Sequence, residues 1–245
     1  MAGAEAQMPF IKNLASSDRK LRTQSLASLQ TYLLSRTALP ATDAQKLWTG
    51  LYYALWMTDR PRPQQALASD LADLLVQTPR CAVPLAAGFW AVLSRQWPSI
   101  DALRMDKFLL LVRRVFAAQV RCAREQRWRG EQVELMLGVL RRLAFDADDE
   151  EGVSLGLRLH VLDLWVDELE REKALDGDAC DDDEPREEWV RKMGDMVDAL
   201  RASPVKSVRN RASESYADQR LPWGVRGSDD EEDDDADEGW VGIED

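Results

Sequence analysis

Arg113, Arg114, Arg121, Arg124 and Arg127 follow one another along residues 104–128 at spacings that a helix gathers to one side. At roughly 100° per residue they fill an arc of about 140°, opposite Phe108, Val112, Val115 and Phe116. A guanidinium donates two parallel hydrogen bonds to one phosphate or carboxylate, so the stripe suits an anionic partner. Such contacts read no base sequence and weaken with added salt. Glu125 is the only carboxylate between Lys107 and Gly130, so the segment cannot neutralise its own cations. The spacing predicts an exposed stripe in contact with an anion, which RNA backbone or an acidic protein can supply. "SPVKSVRNRA" adds Lys206, Arg209 and Arg211, in a stretch that also fits a weak nuclear import signal.

Enzyme chemistry finds no comparable set. The single histidine, His160, lies in "GLRLHVLDLW" with no second histidine or cysteine at metal spacing. A lone histidine on an amphipathic helix is ordinarily a packing residue. No Gly-x-Ser-x-Gly elbow and no glycine-rich phosphate loop occurs. The carboxylates after residue 145 come in runs, which are normally solvated rather than tuned as acid/base pairs. Cys81, Cys122 and Cys180 are too widely spaced for a zinc motif and suit a reducing compartment. The expectation is no cofactor, no metal and no catalysis.

The elements that carry these residues read as helical. Leu26, Leu29 and Leu33 recur at helical spacing. Thr42 is placed to cap a helix through about Met57, and Pro61 or Pro63 starts the next. Further helices are expected over about 81–95, from a Ser99 cap to about Trp128, over 131–145, over 154–173 and around Trp189 to Leu200. No strand alternation or fixed repeat is visible. Short loops between successive helices favour antiparallel neighbours. The fold class is therefore all-α, an irregular α-solenoid of HEAT or armadillo kind, with a globular bundle as the alternative. Residues 1–202 are expected as a helical scaffold, 203–227 as a basic extended arm with at most one short helix, and 228–245 as an acidic, disordered tail.

Charge divides along the chain. Residues 1–145 carry a net +9 and residues 146–245 a net -21, within an overall -12. Residues 228–245 hold eleven acidic groups and no lysine or arginine. A basic body and an acidic end imply an anionic partner for one, and a cationic partner or self-shielding for the other. Trp240, followed by Val241 and Ile243, is a short apolar anchor inside the acidic run, able to enter a partner pocket. The apolar runs fall far short of the ~20 residues that span a bilayer, and no secretory leader is visible.

"LWTGLYYALWMTDRPRPQQALA" concentrates Trp48, Tyr52, Tyr53 and Trp56 beside a proline-marked corner. Trp48, Leu51, Tyr52, Leu55 and Trp56 keep helical spacing, so most of this aromatic mass is expected in a core. Tyr53 is the ring best placed to face elsewhere. Arg60 stands at the corner, and Gln64 and Gln65 open a polar edge that can touch a protein partner.

The same stretch resembles the signature of the nucleolar ribosomal RNA-processing protein 1 (Nop52-type) family, through Trp48, Gly50, Leu51, Tyr52, Tyr53, Trp56, Asp59, Pro61, Gln64 and Gln65. Thr58 and Arg60 depart mildly from it. "FWAVLSRQWPSIDALRMDKFLLLVRRVF" resembles a second block and "GLRLHVLDLWVDEL" a third. The likeness runs in order over about residues 9–173; the acidic end does not match the basic extensions of some members. The resemblance implies a non-catalytic assembly factor of the large (60S) ribosomal subunit in the nucleus and nucleolus. It also implies pre-60S particles, pre-rRNA, ribosomal proteins, and Brix-domain and β-propeller assembly factors as partners, and no membrane. The alternative is a HEAT-like protein-protein adaptor outside ribosome assembly, with no RNA contact.

Overall fold

The computed structural model describes residue 13, residues 18–176 and residues 183–224. Every regular element among these residues is helical. α1 spans Arg19–Leu34, α2 Ala41–Trp56, α3 Pro61–Gln77, α4 Ala82–Gln96 and α5 Ala102–Glu125. α6 spans Glu131–Val139 and runs into a π-turn at Leu140–Phe145; α7 spans Leu155–Arg171, α8 Asp183–Leu200 and α9 Lys206–Tyr216.

Local chemistry sets the starts. Asp18 accepts the amide of Lys20 at 2.8 Å, and Asp101 accepts that of Arg104 at 3.1 Å, which begins α5. Pro61 opens α3, where its missing N–H costs nothing. Ser99, the expected cap of α5, belongs instead to a short 3₁₀ turn, Trp97–Ser99. α5 also stops short of Trp128. Arg127 and Trp128 take left-handed φ of 53° and 60°, and this turn sets the Trp128 ring 5.0 Å from Trp189 of α8.

The main packing joins each helix to the one two places further on. α3, α5, α7 and α9 thus form one layer, and α2, α4, α6 and α8 the other, with α8 seated on the π-turn. α1 flanks α3 through a bond between Gln30 and Gln77 at 2.9 Å. This stack of helices in two layers agrees with the expected irregular α-solenoid. Trp48, Phe89, Trp90, Phe108, Phe116, Phe145 and Trp165 fill the space between the layers. Within it, Trp90 Nε1 donates to Gln119 Oε1 at 2.9 Å, satisfying a buried indole.

Residues 203–224 hold the one short helix allowed for them, α9, but it is docked on its neighbours rather than extended. α9 buries Val208 and Ala212 completely and lies against α7 and α8. After it, Trp223 stacks on Tyr216 at 5.2 Å and donates to that residue's carbonyl at 3.1 Å. Two buried side chains in eleven residues are too sparse to stand out as a helical face in sequence, yet enough to dock a short helix on preformed neighbours. The acidic tail 228–245, Trp240 and Cys180 lie outside the described residues.

Candidate interaction surface

α5 lies between α3 and α7 in its layer, and its arginines meet carboxylates from both neighbours. Arg113 Nη1 bonds to Glu168 Oε1 at 2.8 Å, and its Nη2 lies 3.5 Å from Asp167. Arg121 reaches Asp73 of α3 at 2.8 Å and Glu172 at 3.9 Å. Arg124 donates to the Glu172 carbonyl at 2.8 Å and lies 3.4 Å from its carboxylate. Across α7 the pattern continues. Arg211 of α9 pairs with Asp163, and Arg220 with Glu170 at 2.8 Å and Asp167 at 3.1 Å. Acidic and basic helices alternate, so each seam of the layer is bridged.

This corrects the expectation of an open arginine face. Arg113, Arg114 and Arg121 are half-buried, and Arg124 is exposed. The neutralising carboxylates stand 48 to 55 positions away, on other helices. Arg114 makes no hydrogen bond or close ion pair among the described residues and its Nε is buried without one, although its charge also acts on Glu168. Arg127 lies beyond the helix, in the left-handed turn, and so leaves the stripe. Ion pairs this exposed contribute little each, up to ~1 kcal/mol. Glu168 differs, being fully buried and bonded by Arg113 at 2.8 Å and Arg171 at 2.7 Å. Burial pushes its carboxyl above the usual range, against the pull of Arg171 and Arg113.

A second cluster joins α2 to α5. Tyr52 stacks on Phe108 at 4.7 Å, and the Arg104 guanidinium lies 4.7 Å over the Trp56 ring while pairing with Asp101. Lys107, buried, donates from Nζ to the carbonyls of Trp56 at 2.7 Å and Thr58 at 3.0 Å. Burial lowers its pKa, with Asp59 pulling the other way. Gln64 donates to the same Thr58 carbonyl at 2.9 Å. Gln64, expected at a partner surface, is thus half-buried and braces this turn. Tyr53 is 43% exposed, and Arg60 and Gln65 are exposed as well. Leu103, on the first turn of α5, is 95% exposed.

The remaining candidates divide similarly. Lys206 is exposed, whereas Arg209 donates to the carbonyls of Ser203 at 2.7 Å and Pro204 at 2.9 Å, bracing the turn into α9. His160 Nε2 lies 3.1 Å from the Leu109 carbonyl, and burial pulls its pKa down, so the neutral ring donates there and ties α7 to α5. Cys122 is buried with its thiol pushed up to about 12, far from a nucleophile's range. Among the described residues no cluster of His, Cys, Asp or Glu is placed to hold a metal, and no helix is long and apolar enough to cross a membrane.

The three blocks of the family resemblance therefore meet in space. Trp56 of the first touches Arg104 and Lys107 of the second. Arg113 of the second meets Glu168 of the third. Reading residue types alone missed Lys107 as a brace and Glu168 as a buried anchor, because neither shows a local signal of burial.

Comparison with known proteins gives the same direction. The family model described as nucleolar protein Nop52 matches residues 5–240. The chain is 28% identical over 173 residues to ribosomal RNA processing protein 1 homolog B of Homo sapiens, covering 68% of this chain and 23% of that protein. It is 27% identical over 170 residues to the human homolog A, covering 66% and 36%, and 28% identical over 172 residues to the Caenorhabditis elegans homolog, covering 68% and 43%. The chain thus spans about a quarter to two fifths of the length of these relatives.

Proposed function

Because the chain belongs to the Nop52 family of nucleolar proteins, we propose that it acts in ribosome biogenesis as a non-catalytic helical scaffold. On this reading it joins assembling particles of the large (60S) subunit and supports pre-rRNA processing. The supporting observation is where the residues that carry the resemblance lie. They brace the joints between helices, as Lys107 does for α2, rather than line a reaction cleft. A rigid stack presents fixed surfaces, which is what docking of assembly factors and ribosomal proteins requires. Tyr53, Arg60 and Gln65 supply one such surface, and Brix-domain and β-propeller factors are the proposed protein partners. Contact with rRNA backbone falls first to Arg114 and Lys206, which form no ion pair among the described residues.

Sedimentation of the tagged chain tests this. Co-migration with pre-60S particles, reduced by charge reversal at Arg114 and Lys206 and by salt, is the expected result. The internal pairing of Arg113, Arg121 and Arg124 favours a second reading, an adaptor outside ribosome assembly with no RNA contact. That reading requires the chain to remain in light fractions and to give no crosslink to RNA.

A further inference from the structure

Behind the π-turn lies a groove of about 370 Å³, between Leu140–Phe145 and α8. Its apolar floor includes Phe145 and Met196, both buried, and the exposed Ala199 edges it. Its rim is charged and unevenly matched. Arg142 is taken by Glu151 at 3.1 Å. The Asp146 carboxylate is turned to the amides of Glu150 and Val153 at 3.1 and 3.2 Å. Asp148, Glu150 and Asp195 then face the groove with no ion pair among the described residues, and Arg141 alone offsets them. The rim keeps an excess of negative charge.

The groove is also held open in advance. Arg158 of α7, buried, donates to the carbonyls of Asp146 at 3.2 Å and Val153 at 3.0 Å and to Asp149 at 2.6 Å. The loop therefore pays little ordering entropy on binding. RNA and the acidic residues 228–245 are both repelled by such a rim. A cationic segment with an apolar side chain is complementary to floor and rim together.

We propose that this groove is a docking site for a short, basic, amphipathic segment of a protein partner. The segment's apolar side chain packs on Phe145 and Met196, and its lysines or arginines face Asp148, Glu150 and Asp195. The proposal rests on the reading of the chain as a protein-binding scaffold and names the chemistry of one partner.

Calorimetric titration of the full chain with a synthetic amphipathic helix, leucines on one face and lysines on the other, tests it at about 0.15 M salt. Expected is saturable binding, weakened about tenfold or more by the double change Asp148→Lys with Asp195→Lys, and likewise by Ala199→Phe, which fills the groove. All three positions are exposed, so the variants should fold. Asp106→Lys, an exposed acid on α5, should leave binding within about twofold. Equal binding by every variant, as uptake by the eleven acidic groups of 228–245 would give, overturns the proposal. So does equal binding of the peptide with glutamates for lysines, or no saturable binding. If the groove variants bind as wild type does while the chain still sediments with particles, the groove alone is wrong. If wild type fails to sediment with particles, the scaffold reading is wrong whatever the peptide shows.

Discussion

Lys107 closes the end of a helix that begins 66 positions before it: its Nζ lies 2.7 Å from the carbonyl oxygen of Trp56, the last residue of α2, which starts at Ala41. Cations near C-terminal carbonyls are favoured by the helix dipole, usually on the same helix. Here the cation comes from α5, so one side chain fixes both the helix end and the angle between layers. Lys107→Met keeps the stem and removes the charge. It should cost about 2–4 kcal/mol, since charged hydrogen bonds to buried carbonyls are lost. Urea unfolding measures this, and a loss below ~1 kcal/mol would show that water replaces the ammonium.

Glu168 and Arg113 should prove strongly coupled. Glu168→Leu strands Arg113 and Arg171 beside a buried site, for a cost of about 3–5 kcal/mol. Arg113→Leu should be costly in wild type and much less so in the Glu168→Leu background. A double-mutant cycle reads the difference, and additive losses would mean the pair contributes nothing specific.

Acid should expose the role of His160. Its pKa is lowered in the folded state, so below about pH 6.5 the unfolded chain binds the proton first and stability falls with pH. Glu168 runs the other way: its raised pKa makes the folded state bind the proton first, and stability falls as pH rises above about 4.5. His160→Gln keeps a donor for the Leu109 carbonyl and removes the titration. The variant's stability should therefore decline less than wild type between about pH 6.5 and 5.5. Parallel pH profiles would assign the acid sensitivity to other groups.

Two glycines test the close contacts. A Cβ at Gly156 would stand 2.6 Å from Trp97 Nε1, and one at Gly194 2.3 Å from Trp223. Gly156→Ala strains the junction of α4 and α7 and should cost about 1–3 kcal/mol. Gly194→Ala should instead displace Trp223, with little loss elsewhere. Limited proteolysis would then cut within residues 217–224 before the rest of the chain.

The helices were legible because their signals are local: leucines at helical spacing and Pro61 at a start. The caps were not: Thr42 lies inside α2, and Asp101 rather than Ser99 caps α5. The family was legible too, since its three blocks keep their order. What the arginines do was not legible. Glu125 is the only acid near them in sequence, and whether they stand open depends on Asp73 and Glu172, which only the layer packing brings close. For the same reason Gln64 read as a surface residue, although the carbonyl it satisfies belongs to the turn beside it. Val208 and Ala212 gave too thin a stripe to show that residues 206–216 would fold back. Pattern reveals which face of a helix is apolar; it does not reveal which charged neighbour arrives.

The π-turn at Leu140–Phe145 has a consequence for anyone building chimaeras from this chain. A π-turn takes up about one residue more than the α-turn it replaces, so the side chains after it are rotated from the helical count before it. Grafting α6 from a relative by matching its apolar stripe alone would place Phe145 out of step and move Asp146 off the amides it clamps. Splice points should be chosen before Leu140 or after Val153, with the six turn residues carried as a single piece.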